Sequence, residues 1–396
     1  MPLALSFWGL WMSLFFVLPA NADWTFKPVF DLRERFERRI DKDFSEAGSD
    51  NRSDLFSRWR AGFDFSYKKD VTGRIMYQYA HNLFWTAAEN ASLERSDIFL
   101  AYADFKGLDG KFRLGRQSLN LSSERLLGLS DWGNTGRSYD MARWTGKNWE
   151  LFGGRLAVNS TPSKDAYIAG AMHSGKFGDT LLLYRHDEKS ASHDDIYTLD
   201  HVWKYKRGKW SGEAEVAGQL GRTGDNKLEA WAGGLKVNYQ KDAKWKFYGE
   251  LAAASGGRRG DTILTFDQAY ASNHSRYGIM DMQGWRNMTG LTLGANFKPT
   301  KKLALNVEFN QFGLWAADDA WYSDGGKANS GFKDPSGNSG KDVGQEFNLM
   351  ATYAVDTKST FEAGFGLFKP GNFIKSFANK GDRDQVWGYL QYRIRF

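Results

Sequence analysis

Residues Trp24 to Arg39, WTFKPVFDLRERFERR, alternate between two kinds of side chain. In steps of two, Trp24, Phe26, Pro28, Phe30, Leu32, Glu34 and Phe36 fall on one side. Thr25, Lys27, Val29, Asp31, Arg33, Arg35, Glu37 and Arg39 fall on the other. Successive residues of a strand point to opposite faces, so one face suits hydrocarbon and the other suits water or anions. A soluble sandwich would turn the apolar face to a partner sheet. A membrane barrel would turn it to lipid and the charged face to a lumen. How often the pattern recurs, and what separates the repeats, decides between them.

It recurs to the end of the chain. Leu55, Trp59, Ala61, Phe63, Phe65 and Tyr67 oppose Arg58, Arg60 and Asp64, and Ile75, Tyr77 and Tyr79 oppose Arg74 and Gln78. Later, Tyr197, Leu199, Trp203 and Tyr205 oppose Asp200, Lys204 and Lys206. About eighteen such runs can be placed, each near the length of a tilted spanning strand. Every second connection is a short turn, such as Lys69–Thr72, Gly107–Gly110, Pro299–Lys302 and Asp356–Ser359. The connections between them run longer, as at Leu121–Arg137, Ser255–Arg286 and Ala316–Asp342. A sandwich or propeller has no reason to sort loop lengths by parity. The expected fold is therefore all-β: a single transmembrane antiparallel β-barrel of about 18 strands, with long extracellular loops and short periplasmic turns. The runs 96–106 and 138–158 are apolar on both faces, so their orientation is not fixed by pattern.

Composition supports this. Aromatics make up 16% of the chain, with 43 Gly and only 7 Pro. A mean hydropathy of −0.56 excludes a bundle of spanning helices but fits strands apolar on one side and girdled by aromatics. Basic residues number 53 and acidic residues 47, so the placement of charge matters more than its sum. Without cysteine there is neither a disulfide framework nor a thiolate metal site. Leu3 to Leu18 is an apolar run followed by Pro19-Ala20-Asn21-Ala22, which reads as a signal peptide over 1–22 ahead of a barrel over 23–396. No Lys or Arg precedes the run, so an uncleaved anchor is the alternative. Export without cysteine points to a Gram-negative envelope, with outer-membrane lipid around the barrel.

The candidate site is the lumen. Arg33, Arg35, Arg39, Arg58, Arg60 and Arg74 lie on the polar faces of the first three strands and share one wall, with Arg113 beside them. Guanidinium binds carboxylate bidentately, and a row of such groups in a confined pore favours anionic solutes. The plainer reading is a ladder with Asp31, Glu37 and Asp64 that merely solvates the inner face. By parity Asn120 to Arg137 is an external loop. Its Arg125, Asp131, Trp132, Asn134 and Arg137 are candidates for an in-folded constriction with one aromatic sugar platform, or for a loop that stiffens the wall. Tyr270, Asn273, His274, Arg276 and Tyr277 are candidates for sugar contacts at the mouth, or for a surface loop held by Asx turns. Ala316 to Asp342 is rich in Asp, Gly, Ser and Asn but lacks EF-hand spacing, which favours a mobile loop over a calcium site. No metal or cofactor is expected. The six histidines are scattered without an HExxH or GxSxG motif, and His193-Asp194-Asp195 reads as a solvated loop. No catalytic residues and no nucleic-acid module emerge. Phe396 ends an aromatic alternation with Leu390, Tyr392 and Ile394, as in strands read by the barrel-assembly machinery; an ordinary apolar chain end is the alternative.

Three segments resemble the alginate export family of outer-membrane porins. They are LGRQSLNLSSERLLGLSDWGNTGRSYDMARW from Leu114, TFDQAYASNHSRYGIMDMQGWRN from Thr265, and GQEFNLMATYAV from Gly344 with KPGNFIK from Lys369. FDLRERFE from Phe30 also fits. The resemblance implies an eighteen-stranded barrel with an electropositive, arginine-rich lumen passing an anionic polysaccharide by passive diffusion. The family's alginate exporter closes its periplasmic mouth with a long plugging loop between late strands, whereas Asp356 to Ser359 here is short. Either that gate is lacking or another segment plugs the pore. The resulting expectation is a monomeric porin for anionic solutes, above all uronate-type polysaccharide or oligosaccharide. The alternatives are a general or small-organic-acid uptake porin and a barrel-borne hydrolase.

Overall fold

The computed structural model describes residues 23–44, 51–68, 70–84, 94–158, 165–188, 192–378, 380 and 383–396; the expected signal peptide lies outside them. Eighteen strands form the wall. The first six are β1 (Trp24–Ile40), β2 (Arg52–Tyr67), β3 (Val71–Phe84), β4 (Arg95–Gly107), β5 (Gly110–Gln117) and β6 (Ser138–Thr145). Then come β7 (Trp149–Val158), β8 (Asp165–Gly175), β9 (Gly178–Glu188), β10 (His193–Arg207), β11 (Trp210–Thr223) and β12 (Asn226–Gln240). The last six are β13 (Trp245–Ala254), β14 (Met288–Phe297), β15 (Leu303–Gly313), β16 (Asp342–Ala354), β17 (Ser359–Pro370) and β18 (Gln385–Arg395). Each pairs antiparallel with the next, and β18 returns to β1 with Arg393 opposite Arg33, so no edge is left open.

The period-two pattern decides the faces. Outward residues such as Tyr197, Leu199, Trp203 and Leu220 are exposed, whereas their inward neighbours Thr198, Asp200 and Val202 are buried. So large an exposed apolar band is stable only against lipid. Aromatic pairs ring the short-turn rim, including Trp24–Tyr67, Trp210–Tyr239 and Trp245–Phe297 with centroids 4.3–4.8 Å apart. The loop-length rule has an exception, since β11 and β12 join through Gly224-Asp225 at the long-loop rim. His193 opens β10 and is not in a loop; Asp194 turns inward toward Arg185, while the outward Asp195 binds His186 and His193.

The lumen is where this barrel departs from an open pore. The strand expected over 110–120 stops at Gln117, and its partner β6 has only 8 residues. The chain therefore leaves the wall at membrane depth and turns inward, where irregular backbone is tolerated because protein surrounds it. Leu119, Leu121, Leu126 and Leu127 of this loop share one apolar core with Phe266, Ile279 and Trp285 of the 255–287 loop and Trp321 of the 314–341 loop. The inward residues Tyr139, Met141, Phe152, Ile168 and Leu181 complete that core. This is why 138–158 is apolar on both faces: one meets lipid and the other meets folded loops.

Leu199 is 59% exposed near the middle of β10. Leu199→Arg should destabilise insertion by about 2–4 kcal/mol, the cost of a cation at the bilayer midplane. Equilibrium unfolding from lipid vesicles measures this, and an unchanged midpoint would remove Leu199 from the lipid face.

Candidate functional site

Residues 118–137 cross the lumen from one wall to the opposite one. At the far end, Arg125 is wholly buried and reaches β11 and β13. It binds the Glu215 carboxylate, the Glu250 carboxylate at 2.5 Å and the Tyr277 hydroxyl at 2.9 Å. Lys236 supports Glu250 at 3.0 Å. Burying a guanidinium is costly, and such complete pairing offsets the cost. At the near end, Arg33 donates to the carbonyls of Asp131 (2.6 Å) and Gly133 (3.1 Å), and Arg35 donates to that of Trp132 (2.8 Å). Arg58 and Arg60 both hold the Asp131 carboxylate at 3.0 Å, and Arg393 holds it at 2.9 Å. Asn134 adds a neutral anchor by donating to Ser57 O, His81 O and Asn82 Oδ1. In a ring of eighteen strands, β2 and β11 are diametrically opposite, so the loop is a bar fixed at both ends.

Arg33, Arg35, Arg58, Arg60 and Arg393 converge on Asp31, Glu37 and Asp131, leaving a surplus of two positive charges. Burial pushes the Asp131 carboxyl up, but Arg58, Arg393, Arg60 and Arg33 outweigh it and hold the group far below the usual carboxylate range. Arg393 is the member the sequence reading left out. The alternation that turns Leu390, Tyr392 and Ile394 outward also turns Arg393 inward, so the signal was present.

The bar carries a second layer. Trp132 has the Arg35 guanidinium 3.7 Å from its ring centre and the His274 ring stacked at 3.8 Å. Two groups that close must lie on opposite faces, so both faces of Trp132 are covered and neither is a platform for sugar. His274 bonds Asp281 at 2.6 Å. Arg137 donates to the carbonyls of Gly128, Tyr270 and Ala271, tying the bar to the 255–287 loop. That loop is pinned in turn by the Met280 amide donating to Glu346 (3.2 Å), beneath a Gly278 at φ +76° whose added Cβ would lie 2.2 Å from the Glu346 carboxylate.

Tyr270, Asn273, Arg276 and Tyr277 thus lie inside the barrel and not at its mouth. Asn273 and Tyr277 are buried, Arg276 pairs with Glu213 at 2.6 Å, and the Tyr270 carbonyl takes Arg137. Arg39 donates to Met280 O and Gln385 Oε1, again holding a loop. Arg74 and Arg113 sit apart from the cluster, each forked onto one carboxylate, Asp64 and Asp104. Those two follow the ladder arrangement. In the 314–341 loop Asp334 caps its own turn through Ser336 and Ser339.

Above the bar, on the long-loop side, a cavity of about 680 Å³ is lined by Trp132, Asn134, Arg137, His274, Asp281 and Asp324 among others. Enclosure by the loops, with Asp281 alongside, pushes the Asp324 carboxyl up to about 8.

The sequence matches the alginate export family over residues 28–158 and 160–387. The chain belongs to that family. No curated protein matches it in sequence. Among solved structures, OprD from Pseudomonas aeruginosa superposes with a TM-score of 0.60 at 13% identity, over 94% of this chain and 93% of that one. OpdK from Pseudomonas aeruginosa gives 0.62 at 13%, over 94% and 99%. OccK2 (OpdF) from Pseudomonas aeruginosa, in complex with glucuronate, gives 0.62 at 11%, over 94% and 98%. These likenesses show the fold. With the family match they establish a porin-like barrel of the Gram-negative outer membrane.

Two outcomes follow. Arg125→Met leaves Glu215 without its buried cation, at a cost of about 3–5 kcal/mol. Hydrogen exchange across 121–127 should accelerate, and unchanged exchange would deny Arg125 its anchoring role. Below about pH 8 Asp324 is protonated and neutral, and above it the group adds a negative charge to the cavity. Single-channel anion current should therefore fall between pH 7 and pH 9, and Asp324→Asn should abolish that fall.

Proposed function

We propose that this barrel is an anion-preferring channel, not an enzyme, and that it passes carboxylate-bearing sugars of the uronate type by diffusion. The observation that carries this is the surplus of guanidinium over carboxylate inside the lumen, where the bar meets β1, β2 and β18. A confined cation surplus lowers the barrier for anions and raises it for cations. Bidentate guanidinium chemistry matches the uronate carboxylate, and neighbouring arginines provide successive positions for its release.

Two further observations bear on the size of the solute. The cavity above the bar falls in the range that encloses one small ligand, which favours mono- and oligosaccharide acids taken in stepwise. OccK2 (OpdF), a barrel of the same fold, is seen in complex with glucuronate. Family membership favours a second reading, export of a uronate polymer, which requires the bar to swing clear of the wall. Under either reading the barrel works as a monomer in lipid and reaches the membrane through the barrel-assembly machinery.

Planar-bilayer recording tests this. In a potassium chloride gradient the reversal potential should indicate anion preference, and glucuronate should reduce chloride current while glucose does not. Replacing Arg33, Arg35, Arg58 and Arg60 together by Gln should lower the anion preference. A reversal potential unmoved by that replacement, or a cation-selective parent channel, would refute the proposal.

A further inference from the structure

The Asp131 carboxylate is held inside a cluster of guanidinium groups from the wall. Its two oxygens accept from three guanidinium groups on two wall strands, Arg58 and Arg60 of β2 and Arg393 of β18. Its side chain is 32% exposed and does not line the cavity above the bar. The receiving groups are not saturated. Arg58 is fully buried, yet its Nε has no hydrogen-bond acceptor among the described residues, and its Nη2 has only the Asp31 carboxylate at an ion-pair distance of 3.6 Å. Unmet buried donors are costly, and a carboxylate satisfies them better than a neutral group. The rest of the near anchor does not need the Asp131 charge, because Arg33 and Arg35 grip backbone carbonyls and Asn134 is neutral.

We propose that Arg58, Arg60 and Arg393 form the channel's carboxylate-binding site and that Asp131 is its tethered occupant, displaced by the carboxylate of a passing solute. This rests on the anion-channel reading above and adds a competition to it. A side chain held on a short tether competes at an effective concentration of about millimolar. Solute binding is thereby kept weak enough for release, as conduction requires. The resting channel also presents no open anion trap to chloride or phosphate.

The test uses the full-length protein in planar bilayers, with glucuronate as the probe and its half-blocking concentration on chloride current as the readout. Asp131→Asn preserves side-chain shape and removes the competing charge, so the half-blocking concentration should fall about tenfold. Arg393→Gln removes a donor that lies on the wall, leaving the loop sequence intact, and should raise it. Ser123→Ala loosens the far end of the bar, where its hydroxyl donates to Glu215 at 2.7 Å, without altering the counter-charge or the cavity lining, and should leave it unchanged. The proposal is overturned if Asp131→Asn leaves glucuronate block unaltered or weaker, if Arg393→Gln has no effect, or if Ser123→Ala reproduces the gain. An anion-selective parent with unaltered block in Asp131→Asn sinks only the competition, whereas a parent without anion preference sinks the channel reading itself.

Discussion

Guanidinium groups taken out of water must find carboxylates or carbonyls, and in this barrel the partners lie on a loop instead of on the wall. Arg33, Arg35, Arg58, Arg60 and Arg393 project from β1, β2 and β18 into a space that would be polar and open in a bare barrel. Residues 118–137 enter that space and supply the Asp131 carboxylate and four backbone carbonyls, those of Asp131, Trp132, Gly133 and Thr135. At the other end the polarity is reversed, with Arg125 on the loop and Glu215 and Glu250 on the wall. A segment carrying a cation at one end and an anion at the other can dock in only one direction across the lumen. The two remaining in-folded loops then pack on a fixed support.

Docking also explains the apolar inner face of β6 to β9. Phe152, Ile168 and Leu181 would be unfavourable against a water-filled lumen and are stable only beneath Leu126, Trp285 and their neighbours. The barrel thus has two storeys. The periplasmic half is polar and laddered by pairs such as Arg74–Asp64 and Arg113–Asp104, and the extracellular half holds a loop core with one cavity beside the bar. The turn at Asp356 to Ser359, where the resemblance implied a long plugging loop, is short. The segments that enter the lumen come from the opposite rim.

Much of the wall was legible in the sequence, because lipid on one side and a lumen on the other impose a two-residue period that survives strand by strand. The placement of Arg33, Arg35, Arg58 and Arg60 on one inner wall follows from that period alone. Their partners do not, since Asp131 lies 71 residues from Arg60 and the loop that brings it back has no periodicity. The same blind spot covers Trp132, whose covered faces depend on Arg35 and His274 arriving from separate elements. It also covers Asn273 and Tyr277, which read as mouth residues because long connections between strands usually stay outside. Arg393 is different: its inward orientation was readable from the last strand, and only the closure onto β1 shows what it does.

If the bar governs passage, taking it out must open the lumen. The direct measurement is single-channel conductance of the barrel with residues 121–136 replaced by a short Gly-Ser linker, its folding checked by circular dichroism. The account predicts a conductance several-fold above that of the intact protein. An unchanged conductance in a correctly folded barrel would contradict it.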